Sequence, residues 1–87
     1  MSTKRLIIDV REPEEYDEFH VEGAISIPPA ELMAGAPQLD DVDKDTELIV
    51  YCISGSRSDA SIQLLEQMGF KNLVNGINAE HVNKNYA

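Results

Sequence analysis

Two apolar runs in this chain, Leu6-Ile7-Ile8-Asp9-Val10 and Leu48-Ile49-Val50-Tyr51, are nearly continuous rather than alternating with polar residues. A short unbroken run rich in branched side chains fits a strand buried on both faces, as in a parallel sheet. Helical signals lie between such runs. Pro13, Glu14 and Glu15 sit where a helix starts well, and Tyr16 and Phe19 supply its apolar face, so a short helix is predicted over Pro13–Glu18. Gly23 ends it. Ala24–Ile27 reads as a second strand, stopped by Pro28-Pro29, which open a helical turn through Leu32-Met33 closed by Gly35 and Pro37. Glu47–Tyr51 is the third strand. A helix over Ser58–Met68 follows, with Ala60, Leu64 and Met68 at four-residue spacing, Ile62 and Leu65 widening the stripe, and Gly69 as its stop. Asn72–Asn75 is a fourth strand, and Gly76 is expected to turn the chain into a last short helix. Strands alternating with short helices imply an α/β fold with a mainly parallel sheet.

In such sheets ligands bind beyond the carboxyl ends of the strands. Asp9 and Arg11 lie at that end of the first strand, and Cys52 at that end of the third. Cys52 is the only cysteine in the chain and opens the segment Cys52-Ile53-Ser54-Gly55-Ser56-Arg57-Ser58 between a strand and a helix. A loop placed there can aim several backbone N–H groups and the positive end of a helix at one point. A thiol at that point ionises more easily than a free cysteine, whose pKa is about 8.5. Gly55 allows the backbone to curl tightly, and Arg57 adds a fixed charge with planar, anion-matching donors. A lone cysteine after a buried strand is most often a small hydrophobe. The small residues, glycine and arginine that follow favour a nucleophilic thiolate meeting an anionic substrate.

Length and charge narrow the options. Eighty-seven residues are expected to form one domain over 1–87. A formal net charge of −9 argues against nucleic acid or an anionic membrane as partner. No apolar run reaches the roughly 18 residues needed to span a bilayer. Met1–Arg5 lead directly into a strand with no visible signal peptide, so a cytoplasmic location is expected, or a periplasmic one if a leader preceded the chain. A single cysteine excludes an internal disulfide and a resolving thiol. His20 and His81 are far apart, so no metal site is expected. No cofactor is expected either, and a monomer is compatible with the sequence.

The motifs resemble a known family. Ile8-Asp9-Val10-Arg11-Glu12-Pro13-Glu14-Glu15-Tyr16 and His20-Val21-Glu22-Gly23-Ala24-Ile25-Ser26-Ile27-Pro28 are similar to the opening signature of rhodanese-like sulfurtransferase domains. Tyr51-Cys52-Ile53-Ser54-Gly55-Ser56-Arg57-Ser58 resembles their active-site loop, and Met68-Gly69-Phe70-Lys71-Asn72-Leu73 the segment after the active-site helix. The resemblance covers nearly the whole chain and is closest to the compact single-domain type. It implies a three-layer α/β/α domain that moves a sulfane sulfur from a donor such as thiosulfate, through a persulfide on Cys52, to cyanide or a thiol. Cys52 is then the catalytic residue. Arg57 is expected to attract the anionic donor, while Ile53, Ser54, Gly55, Ser56 and Ser58 form the substrate-binding loop. The family commonly closes with Gly-Gly-Ile-x-x-Trp, where this chain reads Asn75-Gly76-Ile77-Asn78-Ala79-Glu80. Asn75 is expected to take the left-handed conformation of the missing glycine. Glu80 removes apolar surface and adds a negative charge where the family places an aromatic.

The remaining signature residues read as structural parts near the site. Asp9 is expected to accept hydrogen bonds from neighbouring loops, and Arg11 to pair with a glutamate such as Glu15. His20 is expected to hold the helix-to-strand loop, and Ser58 to cap its helix. One rival is a small cysteine phosphatase or arsenate reductase. Those enzymes generally carry five residues between cysteine and arginine, whereas four separate Cys52 from Arg57 here. A second rival is a non-enzymatic persulfide carrier or redox-sensing module.

Overall fold

The computed structural model describes residues 5–86. Strand β1 (Arg5–Asp9) leads through helix α1 (Pro13–Glu18) to strand β2 (Ile25–Ser26). Helix α2 (Pro29–Met33) and a 3-10 turn (Pro37–Leu39) follow, then β3 (Glu47–Cys52), α3 (Ser56–Gln67), β4 (Leu73–Asn78) and α4 (Ala79–Asn85). The strands form one sheet in the order β2-β1-β3-β4, and each neighbouring pair is parallel. Of the Met1–Arg5 segment expected to lack a signal peptide, residues 1–4 lie outside the described residues.

Strand periodicity sorts the apolar side chains into two layers of core. Ile8, Leu48, Val50 and Cys52 face Leu32 of α2 and Leu65 of α3, joined there by Leu39 and Phe70. Ile49 and Tyr51 face the opposite side, with Val21, Ala24, Ala79 and Val82, and Tyr16 of α1 and Tyr86, just after α4, lie at its margin. Helices therefore cover both faces, giving the three-layer α/β/α arrangement. The unbroken apolar runs of β1 and β3 follow from this, because their apolar residues pack into one core layer or the other.

Several boundaries differ from the sequence reading, each for a local reason. Helix α3 begins at Ser56, not Ser58, because Gly55 stands at φ 93° and its carbonyl accepts the Asp59 N–H at 2.9 Å. Only glycine occupies that left-handed region without strain. The buried stripe of α3 accordingly runs through Ser58, Ser61 and Leu65, and Ala60 is exposed. Strand β4 extends to Asn78 and carries a bulge: Val50 pairs with Asn75 but Tyr51 pairs with Ile77. Gly76 thus lies within β4 and does not turn the chain. A Cβ there would stand 2.6 Å from Val82 Cγ2 and 3.0 Å from Ile49 Cγ2, so the absent side chain is what lets α4 lie against the sheet. The positive φ that accompanies the bulge falls on Ile77, at 72°, and not on Asn75.

Candidate active site

At the carboxyl edge of the sheet, a buried polar knot joins three segments. Asp9 receives the Arg11 backbone N–H at 2.9 Å, Arg11 Nη2 at 2.6 Å and the Tyr51 hydroxyl at 2.8 Å. Arg11 Nη2 also donates to the Phe19 carbonyl at 2.7 Å, and the Tyr51 oxygen accepts the Val21 N–H at 3.1 Å. The ends of β1 and β3 are thereby tied to the loop between α1 and β2. The hydrogen bond to Asp9 holds the Arg11 guanidinium above its ordinary pKa, and burial pushes the Tyr51 phenol up to about 12. Asp9 accepts bonds as expected. Arg11, however, pairs with Asp9 and not with Glu15, because the two side chains meet two residues apart in a site sealed from water.

Beside this knot, Cys52 ends β3 with its side chain turned under the N-terminus of α3. Its sulfur accepts the backbone N–H of Gly55 at 3.2 Å and of Ser58 at 3.3 Å, and lies 3.6 Å from Ser58 Oγ. Burial alone would raise the thiol pKa. The Ser58 hydroxyl, able to donate to the ionised sulfur, and the backbone N–H groups of Ser58, Gly55 and Ser54 outweigh burial and bring it down to about 7. The loop therefore favours ionisation of the thiol without a neighbouring base. Ser58 is fully buried in the first turn of α3 and does not occupy the capping position, which belongs to Gly55.

Asn75 braces the loop from β4. Its Oδ1 accepts the Ser58 hydroxyl at 2.6 Å and the Ile77 N–H at 2.9 Å, while its Nδ2 donates to the Gly55 carbonyl at 3.0 Å. The extended backbone of β4 aims this side chain at the loop, which is why Asn75 does not adopt the left-handed conformation expected of it. Sequence reasoning missed this role. The available signal was a polar side chain midway along a strand that leads to the carboxyl edge of the sheet.

In front of Cys52 lies a pocket of about 550 Å³. Phe19 and Ile53 form one side of its rim, 61% and 54% exposed, and α4 supplies the other through Ala79, Glu80, Asn83 and Lys84. Arg11 and Asn78 complete the lining. Of the expected substrate-binding residues, Ile53 faces this pocket, and Gly55 and Ser58 hold the sulfur. The Ser54 and Ser56 hydroxyls lie 3.4 Å apart on the exposed side of the loop. Arg57 does not line the pocket. Its Nη1 lies 3.2 Å from Glu15 Oε1, and the residue borders a separate depression with Met33 and Leu64. The Glu12 N–H and the Arg57 guanidinium hold the Glu15 carboxyl below the usual carboxylate range. His20 stacks on Tyr16 at 3.7 Å with its Nδ1 2.8 Å from the Tyr16 carbonyl, and so belongs to the α1–β2 connection. Among the described residues no cluster of His, Cys, Asp or Glu could hold a metal ion, and no helix is long and apolar enough to cross a membrane.

Comparison with known proteins gives concordant matches. The family model for the rhodanese-like domain matches residues 1–79. The putative sulfur carrier protein YrkF of Bacillus subtilis is 38% identical over 69 residues, covering 79% of this chain and 36% of that protein. The thiosulfate sulfurtransferase PspE of Escherichia coli is 38% identical over 68 residues, covering 78% of this chain and 64% of that protein. This chain thus spans between about a third and two thirds of these relatives' lengths. Among solved structures, a rhodanese with anions from E. coli superposes with a TM-score of 0.73 at 35% identity, over 88% of this chain and 89% of the other. A rhodanese-like domain from an Anabaena protein shares the fold with a TM-score of 0.77 at 22% identity, over 91% and 90% of the two chains.

Proposed function

The chain belongs to the rhodanese-like domain family, and we propose that it moves a sulfane sulfur from a small anionic donor such as thiosulfate, through a persulfide on Cys52, to cyanide or a thiol. The observation that carries this reading is the convergence of the Gly55 and Ser58 N–H groups on the Cys52 sulfur. In the donor step the thiolate attacks the outer sulfur of thiosulfate. The S–S bond of the donor breaks, sulfite leaves with the bonding pair, and the new persulfide keeps one negative charge. Backbone donors fixed in advance favour that charge without rearrangement. In the acceptor step a nucleophile takes the outer sulfur, and Cys52 returns to the thiolate. The apolar rim of Phe19 and Ile53 borders the route by which reactants reach the sulfur, and Glu80 places a negative charge there.

A carrier role is the second reading, favoured by the relative named as a putative sulfur carrier. A carrier loads once and waits for a protein partner, whereas an enzyme turns over with small acceptors. Steady-state formation of thiocyanate from thiosulfate and cyanide separates the two. Sustained turnover supports the transferase; a single stoichiometric release of sulfur supports the carrier. The phosphatase reading gains no support from the loop, which has four residues between Cys52 and Arg57 and turns that arginine toward Glu15.

A further inference from the structure

The hydrogen bonds around Ser58 leave its hydroxyl proton with one place at a time. The Ile77 N–H is a donor only, so the Asn75 atom 2.9 Å from it must be the carbonyl oxygen. The Gly55 carbonyl is an acceptor only, so the atom 3.0 Å from it must be the amide nitrogen. Asn75 is therefore locked with its oxygen toward Ser58, 2.6 Å away. The Gly55 carbonyl, 3.1 Å from Ser58 Oγ, already accepts from Asn75 and from the Asp59 N–H. The single Ser58 proton consequently points to Asn75, and its lone pairs face the Cys52 sulfur at 3.6 Å. That arrangement suits a thiol, which donates to Ser58. It does not suit a thiolate, which meets those lone pairs with a negative charge.

We infer that Asn75 competes with the Cys52 thiolate for the Ser58 hydroxyl proton, and that the hydroxyl turns from Asn75 to the sulfur when Cys52 ionises. Asn75 is thus a positioning residue that acts on the nucleophile through Ser58. The inference rests on the proposed function only in taking Cys52 to react as a thiolate, and its tests read ionisation whether or not sulfur is transferred. Other charges near the site stay fixed when Asn75 is replaced by a neutral residue. Arg11 is bound to Asp9, Arg57 to Glu15, Glu80 and Lys84 stand on α4 at the pocket rim, and β4 carries no charged residue. Asp59 in α3, Tyr51 in β3 and His81 in α4 also lie on elements packed around the loop. None of these side chains bonds to Ser58 or Asn75 among the described residues.

The test is the pH dependence of Cys52 alkylation by iodoacetamide in a double-mutant cycle. Asn75→Ala should move the midpoint down by roughly half a unit to one unit, because the freed hydroxyl turns to the thiolate. Ser58→Ala should move it up, and the double variant should match Ser58→Ala alone. An Asn75→Ala midpoint that rises, stays put, or shifts equally with and without Ser58 overturns the inference, since a slackened loop would act without the hydroxyl. A second measurement needs no change at Asn75. The Asn75 side-chain carbonyl ¹³C resonance should titrate with the alkylation midpoint in the native protein and lose that step in Ser58→Ala. A resonance flat through the midpoint, or one that titrates undiminished without Ser58, overturns the inference.

Discussion

Arg57 reaches from α3 to α1 and meets Glu15 at 3.2 Å, a part-exposed ion pair beside the thiol loop. A dianionic donor that uses Arg57 must draw it away from Glu15. Glu15→Gln should therefore raise kcat/KM for thiosulfate by a factor of about 2 to 5, the effect of one surface charge pair worth about 0.5–1 kcal/mol. Arg57→Ala should lower it by a similar factor, and added salt should shrink both effects. Stopped-flow loading with thiosulfate measures each. If neither substitution changes loading, Arg57 has no part in donor capture and serves only to join α3 to α1.

The rate of sulfur loading should follow ionisation of Cys52. With the thiol brought down to about 7 by the loop's hydrogen bonds, the reactive thiolate is the minor form below that pH and the major form above it. Single-turnover loading at low thiosulfate should rise about tenfold per unit below about pH 6 and level off above about pH 8. A midpoint near that of a free cysteine, about 8.5, would contradict the account of the loop.

The polar knot at Asp9 should matter to stability. Tyr51→Phe removes a hydroxyl that serves both Asp9 and the Val21 N–H in a dry site, and should cost about 1–3 kcal/mol. Asp9→Ala leaves the Arg11 charge buried without its partner and should cost more, about 3–5 kcal/mol. Urea unfolding with an unchanged m-value is the measurement. Native stability in Tyr51→Phe would mean that the hydroxyl contributes nothing net.

Packing between β4 and α4 depends on an absent side chain. Gly76→Ala would put a methyl group 2.6 Å from Val82 Cγ2, so α4 must shift, at about 1–3 kcal/mol. Val82→Ala should relieve part of that cost, giving a double variant more stable than the sum of the two changes predicts. Strict additivity in thermal or urea unfolding would show that the contact is not limiting.

The α/β class, the order of elements and the position of Cys52 were legible because they follow from periodicity, capping chemistry and one motif; the three layers followed from the family resemblance. Unbroken apolar runs marked β1 and β3, and Pro13 with its acidic neighbours marked α1. Bonds made across the fold were not legible in the same way. Arg11 has acidic residues on either side in sequence, and only the turn after β1 determines that Asp9 takes it and leaves Glu15 to Arg57. Gly76 looked like a turn because glycine commonly makes one, whereas its place here is set by Val82 and Ile49 from two other elements. Asparagine in place of a glycine points to a backbone role for Asn75, but its side chain is what matters, because only the register of β4 against β3 aims it at Ser58. The start of α3 likewise depends on the φ of Gly55, which the loop's closure around the sulfur determines.

The proposed sulfur transfer requires that Cys52 carry the sulfur. Intact mass measured before and after incubation with thiosulfate, followed by removal of the donor, tests it most directly. The expected result is a gain of one sulfur atom per chain, located by peptide mapping at Cys52, lost on adding cyanide, and absent from Cys52→Ser. No gain in the native protein, or an equal gain in Cys52→Ser, would contradict it.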